Sequence, residues 1–173
     1  MNKIAIFFGP LKGAVNRVAD KICSAIGKDL VEMVPVKYAT ASDLAKYDRI
    51  IFGISTVGKE TWDANYTSDW GKFLPEVSKV NFEGKTVAIF GLGDHITYAN
   101  AFVDFMGILA EQLITSNAKI VGQVATDDYE FEDSKAIYDG KFIGLPIDED
   151  FEAEKTDGRI ANWLNQIKSD FGF

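Results

Sequence analysis

The sequence contains a single cysteine and a single histidine among its 173 residues. One cysteine cannot form an internal disulfide, and one cysteine with one histidine cannot supply the ligands of a typical zinc site. We expect Cys23 to lie within a helix and to contribute packing rather than to act as a nucleophile. The sequence also has no Gly-x-Ser-x-Gly motif, so it offers no nucleophile elbow of the hydrolase type.

Positive charge is scarce as well, because 18 Lys and Arg residues stand against 26 Asp and Glu residues, which gives a net charge of −8. This acidity disfavours nucleic-acid binding and suits docking to basic partners. No apolar run is long enough to span a bilayer, so we expect no membrane association. The early first strand leaves no room for a signal peptide, and the lone cysteine suits a reducing compartment. Both features predict a cytoplasmic protein.

What is present is an ordinary globular composition, 47% hydrophobic and 25% charged, and a length that predicts one domain over residues 1–173. Residues 4–8 form a continuous apolar run, typical of a strand buried on both faces. From Val15 the apolar spacing becomes helical, and we expect Gly27 to end the helix. A strand that enters a helix through a short turn directs backbone N–H groups to the carboxyl edge of a sheet. Open α/β folds bind phosphate there.

Strand and helix patterns alternate through the rest of the chain. The further predicted strands cover residues 30–34, 49–54, 86–90 and 118–123, with a resumed strand at 141–147 after an acidic insertion. The predicted helices cover 42–46, 69–77, 99–115 and 156–171, with Ser42 and Ser68 as N-caps of two of them and Arg159 facing outward from the last. This alternation predicts a parallel sheet with helices on both faces. The loops that follow the first, third and fourth strands therefore converge on one crevice.

Several motifs carry a resemblance to a known family. They are Trp70-x-x-Phe73-Leu74-Pro75, Val80-Asn81-Phe82-x-Gly84-Lys85-Thr86-Val87-Ala88-x-Phe90-Gly91-Leu92-Gly93-Asp94, Tyr98, Met106-Gly107-Ile108-Leu109, Gly144-Leu145-x-Ile147-Asp148-Glu149-Asp150 and Phe171-Gly172. Together they resemble the long-chain flavodoxins over essentially the whole chain. The resemblance implies an α/β three-layer sandwich around a five-stranded parallel sheet in the order 2-1-3-4-5. The acidic segment after Val124 would be the insertion that splits the last strand.

The resemblance also implies a noncovalently bound flavin mononucleotide (FMN) and a site made of three loops. The phosphate would lie on the turn Gly9, Pro10, Leu11, Lys12, Gly13, Ala14, Val15. One ring face would be covered by Ser55, Thr56, Val57 and Gly58, where Gly58 would allow a backbone flip. The other face would be covered by Gly91, Leu92, Gly93, Asp94 and Tyr98, with Tyr98 stacked on the ring. The carboxylates of Asp94, Asp148, Glu149 and Asp150 would lower the reduction potential, although solvated surface acids are the commoner case.

The sequence departs from the family at the phosphate turn. The three hydroxyl-bearing positions of the family pattern are Pro10, Lys12 and Val15 here. Lys12 could compensate by its charge, or it could be a solvated turn lysine. Val57 stands at the usual ring-stacking position, where Trp62 could substitute. We therefore expect FMN binding weaker than is usual for the family.

His95 belongs to the third of these loops and has two readings. It could tune the flavin by protonation near neutral pH, or it could be a solvent-exposed loop histidine, which is the reading we favour from the sequence.

The resemblance therefore implies a low-potential one-electron carrier that passes electrons from a flavodoxin reductase or similar donor to an acceptor enzyme. We expect a monomer that meets its partners transiently. An alternative is a protein that keeps the fold, has lost or altered FMN binding, and acts as a binding or regulatory module. A flavin-dependent quinone reductase is a further alternative, which the lack of an acid–base pair and of extra substrate loops disfavours.

Overall fold

The computed structural model describes residues 2–55 and 68–173. The predictions for Thr56, Val57, Gly58 and Trp62 fall outside the described residues. The main parallel sheet contains β1 (Ile4–Phe8), β2 (Val31–Pro35), β3 (Arg49–Ser55), β4 (Thr86–Leu92), β5 (Lys119–Ile120) and β9 (Leu145–Ile147); the short strands β6 (Val124–Ala125), β7 (Ile137–Tyr138) and β8 (Lys141–Phe142) lie apart from it. The helices are α1 (Ala14–Ile26), α2 (Ala41–Leu44), α3 (Asp69–Val77), α4 (Asp104–Thr115) and α5 (Thr156–Phe171).

The main sheet has the order β2-β1-β3-β4-β5, as predicted, and all its pairs are parallel. Two short strands share the outer edge of β4. Thr86 pairs with Lys119 of β5, and Phe90 pairs with Leu145 of β9 further along the same strand. The fifth strand is therefore split by an insertion, which contains the small antiparallel sheet β6-β8-β7. The prediction of a split strand is confirmed, but the second half is shorter than the predicted range 141–147, because Lys141 and Phe142 form β8 of the small sheet.

Alternate residues of the central strands point to opposite faces of the sheet and build two cores. Ala5 and Phe7 face the core shared with α3 and α4, where Phe7 stacks on Phe73 with ring centroids 5.9 Å apart. Ile6 and Phe8 face the core shared with α1 and α5. Because helices cover both faces of the sheet, these strands are apolar throughout, which explains the continuous apolar runs in the sequence.

The helix predicted over 99–115 is wrong in its first turns. Residues Ala99–Ala101 form a 3₁₀ turn, and Val103, with φ 49°, separates it from α4. The backbone here pairs with the insertion instead of continuing a helix. Ala99 O accepts from Glu132 N at 2.7 Å, and Phe102 N donates to Asp133 O at 3.2 Å. The insertion thus decides where α4 begins.

The helix caps give a mixed result. Ser68 caps α3 as predicted, because its hydroxyl accepts from Gly71 N at 2.9 Å. Helix α2 is capped by Thr40 in a capping box with Asp43, so the prediction of Ser42 is wrong. Cys23 lies buried in α1, as expected, and burial raises the pKa of its thiol. None of the helices described in the two ranges is long and apolar enough to cross a membrane.

Candidate functional site

The carboxyl ends of β1, β3 and β4 lie side by side and define the candidate site. Phe8 at the end of β1 is paired with Gly53, and Ser55 at the end of β3 is paired with Leu92. The first loop (residues 9–13) leaves β1, and the third loop (residues 93–98) leaves β4. The sheet therefore brings the first loop, Ser55 and the third loop to one edge, as the sequence predicted.

The first loop is shaped by close contact with the sheet. Gly9 N donates to Gly53 O at 3.3 Å, and a Cβ on Gly9 would lie 2.6 Å from Val36 Cγ2, so any larger residue would force the buried Val36 to shift. Lys12 has a left-handed backbone, φ 64°, and its N–H donates to Asn16 Oδ1 at 3.1 Å. Its side chain is exposed. Val15, at a position where the family pattern has a hydroxyl, is 1% exposed and belongs to the core.

The amino end of α1 offers backbone donors next to open space. Gly13 stands at the N-cap position of this helix, where no side chain accepts a hydrogen bond from the first turn. That turn also contains no acidic residue. The first N–H groups of a helix have no partner within it, so they attract an anion. A Cβ on Gly13 would meet no atom within 4 Å. A phosphate would find there main-chain N–H groups and the exposed Lys12.

The third loop is organised by its own carboxylate. Asp94 Oδ1 accepts from Ile96 N at 3.0 Å and from Thr97 N at 2.8 Å, and Asp94 O accepts from Tyr98 N at 3.1 Å. The Tyr98 side chain, 44% exposed, is free to present its ring outward. Gly91 and Leu92, predicted as loop residues, instead end β4, because Pro146 and Ile147 of β9 pair with them.

His95 is not the exposed loop histidine that the sequence favoured. Its side chain is 13% exposed, and its backbone N–H and ring Nδ1 both contact Asp148 Oδ2. Asp148 in turn is fully buried rather than a surface acid, and its Oδ1 accepts from Asp150 N and Phe151 N, both at 2.9 Å. Burial raises the pKa of Asp148, but the hydrogen bonds from the His95 ring and from these backbone groups outweigh it and lower the pKa. The carboxylate is therefore ionised and can only accept hydrogen bonds. In its bond with Asp148, the ring Nδ1 of His95 is the donor.

Arg159, predicted to face outward, is 8% exposed. It donates to Glu152 Oε1 and to Asp128 Oδ2, and its guanidinium lies 4.1 Å from the ring centroid of Tyr129. Burial raises the pKa of Glu152, but its contacts with Lys155 and Arg159 outweigh this and lower the pKa. Arg159 thus fastens the insertion to α5. The sequence gives no sign of this, because the residues that pair with Arg159 are distant in the chain or lie in a turn.

His95, Asp148 and Glu152 also place one nitrogen and two carboxylate oxygens within 4.8 Å of one another. All three side chains are already engaged. Asp148 accepts from His95 and from backbone N–H groups, and Glu152 is paired with Lys155 at 2.7 Å and with Arg159 at 3.3 Å. We therefore assign the group as an ion-pair and hydrogen-bond network rather than as a metal site.

A doubly covered parallel sheet in the order 2-1-3-4-5, with a split fifth strand and an uncapped helix at its carboxyl edge, defines a flavodoxin-like α/β protein. The model of the flavodoxin family matches residues 6–163, so the chain belongs to the flavodoxin family.

Known flavodoxins are similar to this chain over nearly its full length. A flavodoxin from a Nostoc species is 42% identical over 171 residues, covering 98% of each chain. One from Trichodesmium erythraeum is 40% identical and covers 99% of each chain. A crystal structure of Fusobacterium nucleatum flavodoxin bound to flavin mononucleotide superposes with a TM-score of 0.89 at 28% identity, covering 99% of each chain.

Proposed function

We propose that this chain is a one-electron carrier that holds FMN noncovalently in the crevice between its first and third loops. Members of its family are electron-transfer proteins rather than enzymes, and the fusobacterial flavodoxin that shares its fold binds FMN. The single observation that carries the proposal is the uncapped amino end of α1, with open space at Gly13, at the edge of the sheet where the third loop also lies. The bound flavin supplies the electron chemistry, and the protein positions and tunes it.

The phosphate would be held mainly by the main chain. Its contacts would come from the turn Gly9, Pro10, Leu11, Lys12, Gly13, Ala14, Val15. Because Pro10 has no N–H and Val15 is buried in the core, the donors are backbone N–H groups at the start of α1 and the Lys12 ammonium. The Lys12 side chain is exposed and can turn toward a dianion. This arrangement replaces the side-chain hydroxyls with a single mobile charge.

The flavin ring would lie between Tyr98 on one face and the residues Ser55, Thr56, Val57 and Gly58 on the other. Tyr98 is half exposed and offers a flat apolar face whose hydroxyl can stay in water. Gly91, Leu92, Gly93 and Asp94 would support the ring from the same side as Tyr98. Asp94 also holds negative charge close to the ring, which disfavours an added electron and lowers the potential.

The partners would be a reductase as donor and a redox enzyme as acceptor, each bound transiently. The net charge of −8 favours partners with a basic docking surface. We propose that the chain works as a cytoplasmic monomer and as one domain.

The experiment that tests the proposal is titration of the purified protein with FMN, monitored by the visible absorption spectrum and by quenching of flavin fluorescence. We expect a yellow complex with one FMN per chain, which takes up two electrons in two separable one-electron steps on reduction. Protein that stays colourless and leaves FMN fluorescence unchanged at saturating concentrations would overturn it.

A further inference from the structure

The third loop is joined to the segment after β9 by one buried carboxylate. Asp148 Oδ2 accepts from His95 N at 3.1 Å and from the His95 ring, and Asp148 Oδ1 accepts from Asp150 N and Phe151 N. Both oxygens are thus used, each by two donors, and the residue is fully buried. Asp148 therefore holds two chain segments, 53 residues apart in sequence at its contact with His95, against each other.

The surroundings of His95 come from three elements. Asp148 directly follows β9, and Glu152 in the turn after it has its Oε1 3.7 Å from His95 Nδ1. The rings of Phe102 and Phe151 meet the imidazole edge-on, with centroids 6.4 and 6.2 Å away. The charged groups behind Glu152 are Lys155 and Arg159, and Arg159 also pairs with Asp128. On its own loop, His95 follows Asp94, whose carboxylate is bonded within the loop.

These contacts decide how the third loop sits on the sheet. The bonds made by Asp94 are internal to residues 94–98, so they fix the shape of the loop but not its position. Its position depends on Gly93 N, which donates to Ile147 O at 2.9 Å, on the contacts of Ala99 with the insertion, and on the pair Asp148–His95. The pair is the contact nearest the middle of the loop, three residues before Tyr98.

We propose that Asp148, acting through His95, is the positioning residue that places Tyr98 and the third loop over the flavin, and that FMN retention depends on this pair although neither side chain need touch the cofactor. This proposal rests on the proposed function. A loop released from Asp148 must be ordered when FMN binds, and that cost lowers the affinity.

The test compares the FMN dissociation constants of three variants with that of the original protein. Asp148→Asn keeps one acceptor oxygen and loses the charge and one of the two acceptor atoms. His95→Asn keeps a neutral N–H donor near the position of Nδ1, and Asp148→Asn/His95→Asn combines the two. We expect Asp148→Asn to raise the dissociation constant roughly 10- to 100-fold. Because the residues act as a pair, the double variant should be no weaker than Asp148→Asn alone.

Asp150→Asn is the matched control. It removes the same charge two residues away, from an exposed side chain, while the Asp150 backbone bond to Asp148 remains. We expect its dissociation constant to change less than about threefold. Equal effects of Asp148→Asn and Asp150→Asn, or strictly additive effects in the double variant, would overturn the proposal. Failure of the original protein to bind FMN would instead reject the proposed function.

A further readout separates positioning from general destabilisation. Amide hydrogen exchange of the flavin-free proteins should be accelerated more at residues 95–98 than in β1 and β4 in both single variants; equal acceleration throughout would contradict the proposal.

Discussion

The first loop and the third loop lie at the same edge of the sheet but are held in different ways. The first loop depends on backbone, since Gly9 bonds Gly53 and the donors at the start of α1 remain uncapped. The third loop depends on two carboxylates, Asp94 within it and Asp148 beneath it. The comparison teaches that two loops at one edge of a sheet can be held by different means, one by main-chain contacts and the other by buried or loop-internal carboxylates.

The largest expected effect concerns Asp148, which holds the third loop, and the dependence of the unfolding free energy on pH. Its pKa is lowered in the folded protein, so the unfolded chain binds the proton more readily, and stability must fall as pH falls below the ordinary aspartate value of 3.8. We expect Asp148→Asn to lose about 3 kcal/mol of unfolding free energy at neutral pH. Its stability should also fall less steeply than that of the original protein as the pH is lowered. Urea unfolding across the pH range measures both. If the variant loses stability in acid as steeply as the original protein does, Asp148 is not the cause of that loss.

The next effect separates two glycines of the first loop. A Cβ on Gly9 would lie 2.6 Å from Val36 Cγ2, whereas a Cβ on Gly13 would meet open space. We expect Gly9→Ala to cost about 2 kcal/mol of unfolding free energy and Gly13→Ala less than about 1 kcal/mol. Because the space at Gly13 is where the phosphate is proposed to lie, Gly13→Ala should weaken FMN binding more than it weakens the fold. Equal stability losses would remove the distinction between the two sites.

A smaller effect tests whether Lys12 replaces the missing hydroxyls. We expect Lys12→Ala to raise the FMN dissociation constant about tenfold, the effect of one charged contact to the phosphate. Lys28→Ala is the matched control, because Lys28 is also exposed but follows the opposite end of α1. Riboflavin, which lacks the phosphate, should bind Lys12→Ala and the original protein equally. An unchanged FMN affinity would mean that the backbone N–H groups at the start of α1 hold the phosphate without help from Lys12.

The smallest expected effect is electrostatic. Asp94→Asn keeps an acceptor for Ile96 N and Thr97 N but removes one negative charge from the side of the crevice where the flavin ring is proposed to lie. We expect the first reduction potential of the bound flavin to rise by about 20 mV, which corresponds to about 0.5 kcal/mol for one electron. Asp29→Asn, which removes a charge near the amino ends of the strands, should leave the potential almost unchanged. Equal shifts in spectroelectrochemical titrations would mean that only net charge matters.

The elements that could be predicted from the sequence are those specified by nearby residues. Apolar runs predicted β1, β3 and β4, and the bounds of α3 and α5 agree with the predicted ranges, because buried strands and amphipathic helices carry their periodicity in consecutive positions. The start of α4 was predicted wrongly because contacts with the insertion compete with helix formation there.

The chain by itself determined a parallel sheet, a split fifth strand and three strand ends that converge on one crevice, because these follow from local patterns and short connections, whereas the order 2-1-3-4-5 came only from the resemblance to the long-chain flavodoxins. Only the tertiary structure decided that Asp148, His95 and Arg159 are buried partners rather than surface charges. Nothing in a local pattern distinguishes a solvated carboxylate from a buried one. The distinction comes from donors brought together across the fold, which offset the cost of removing charge from water.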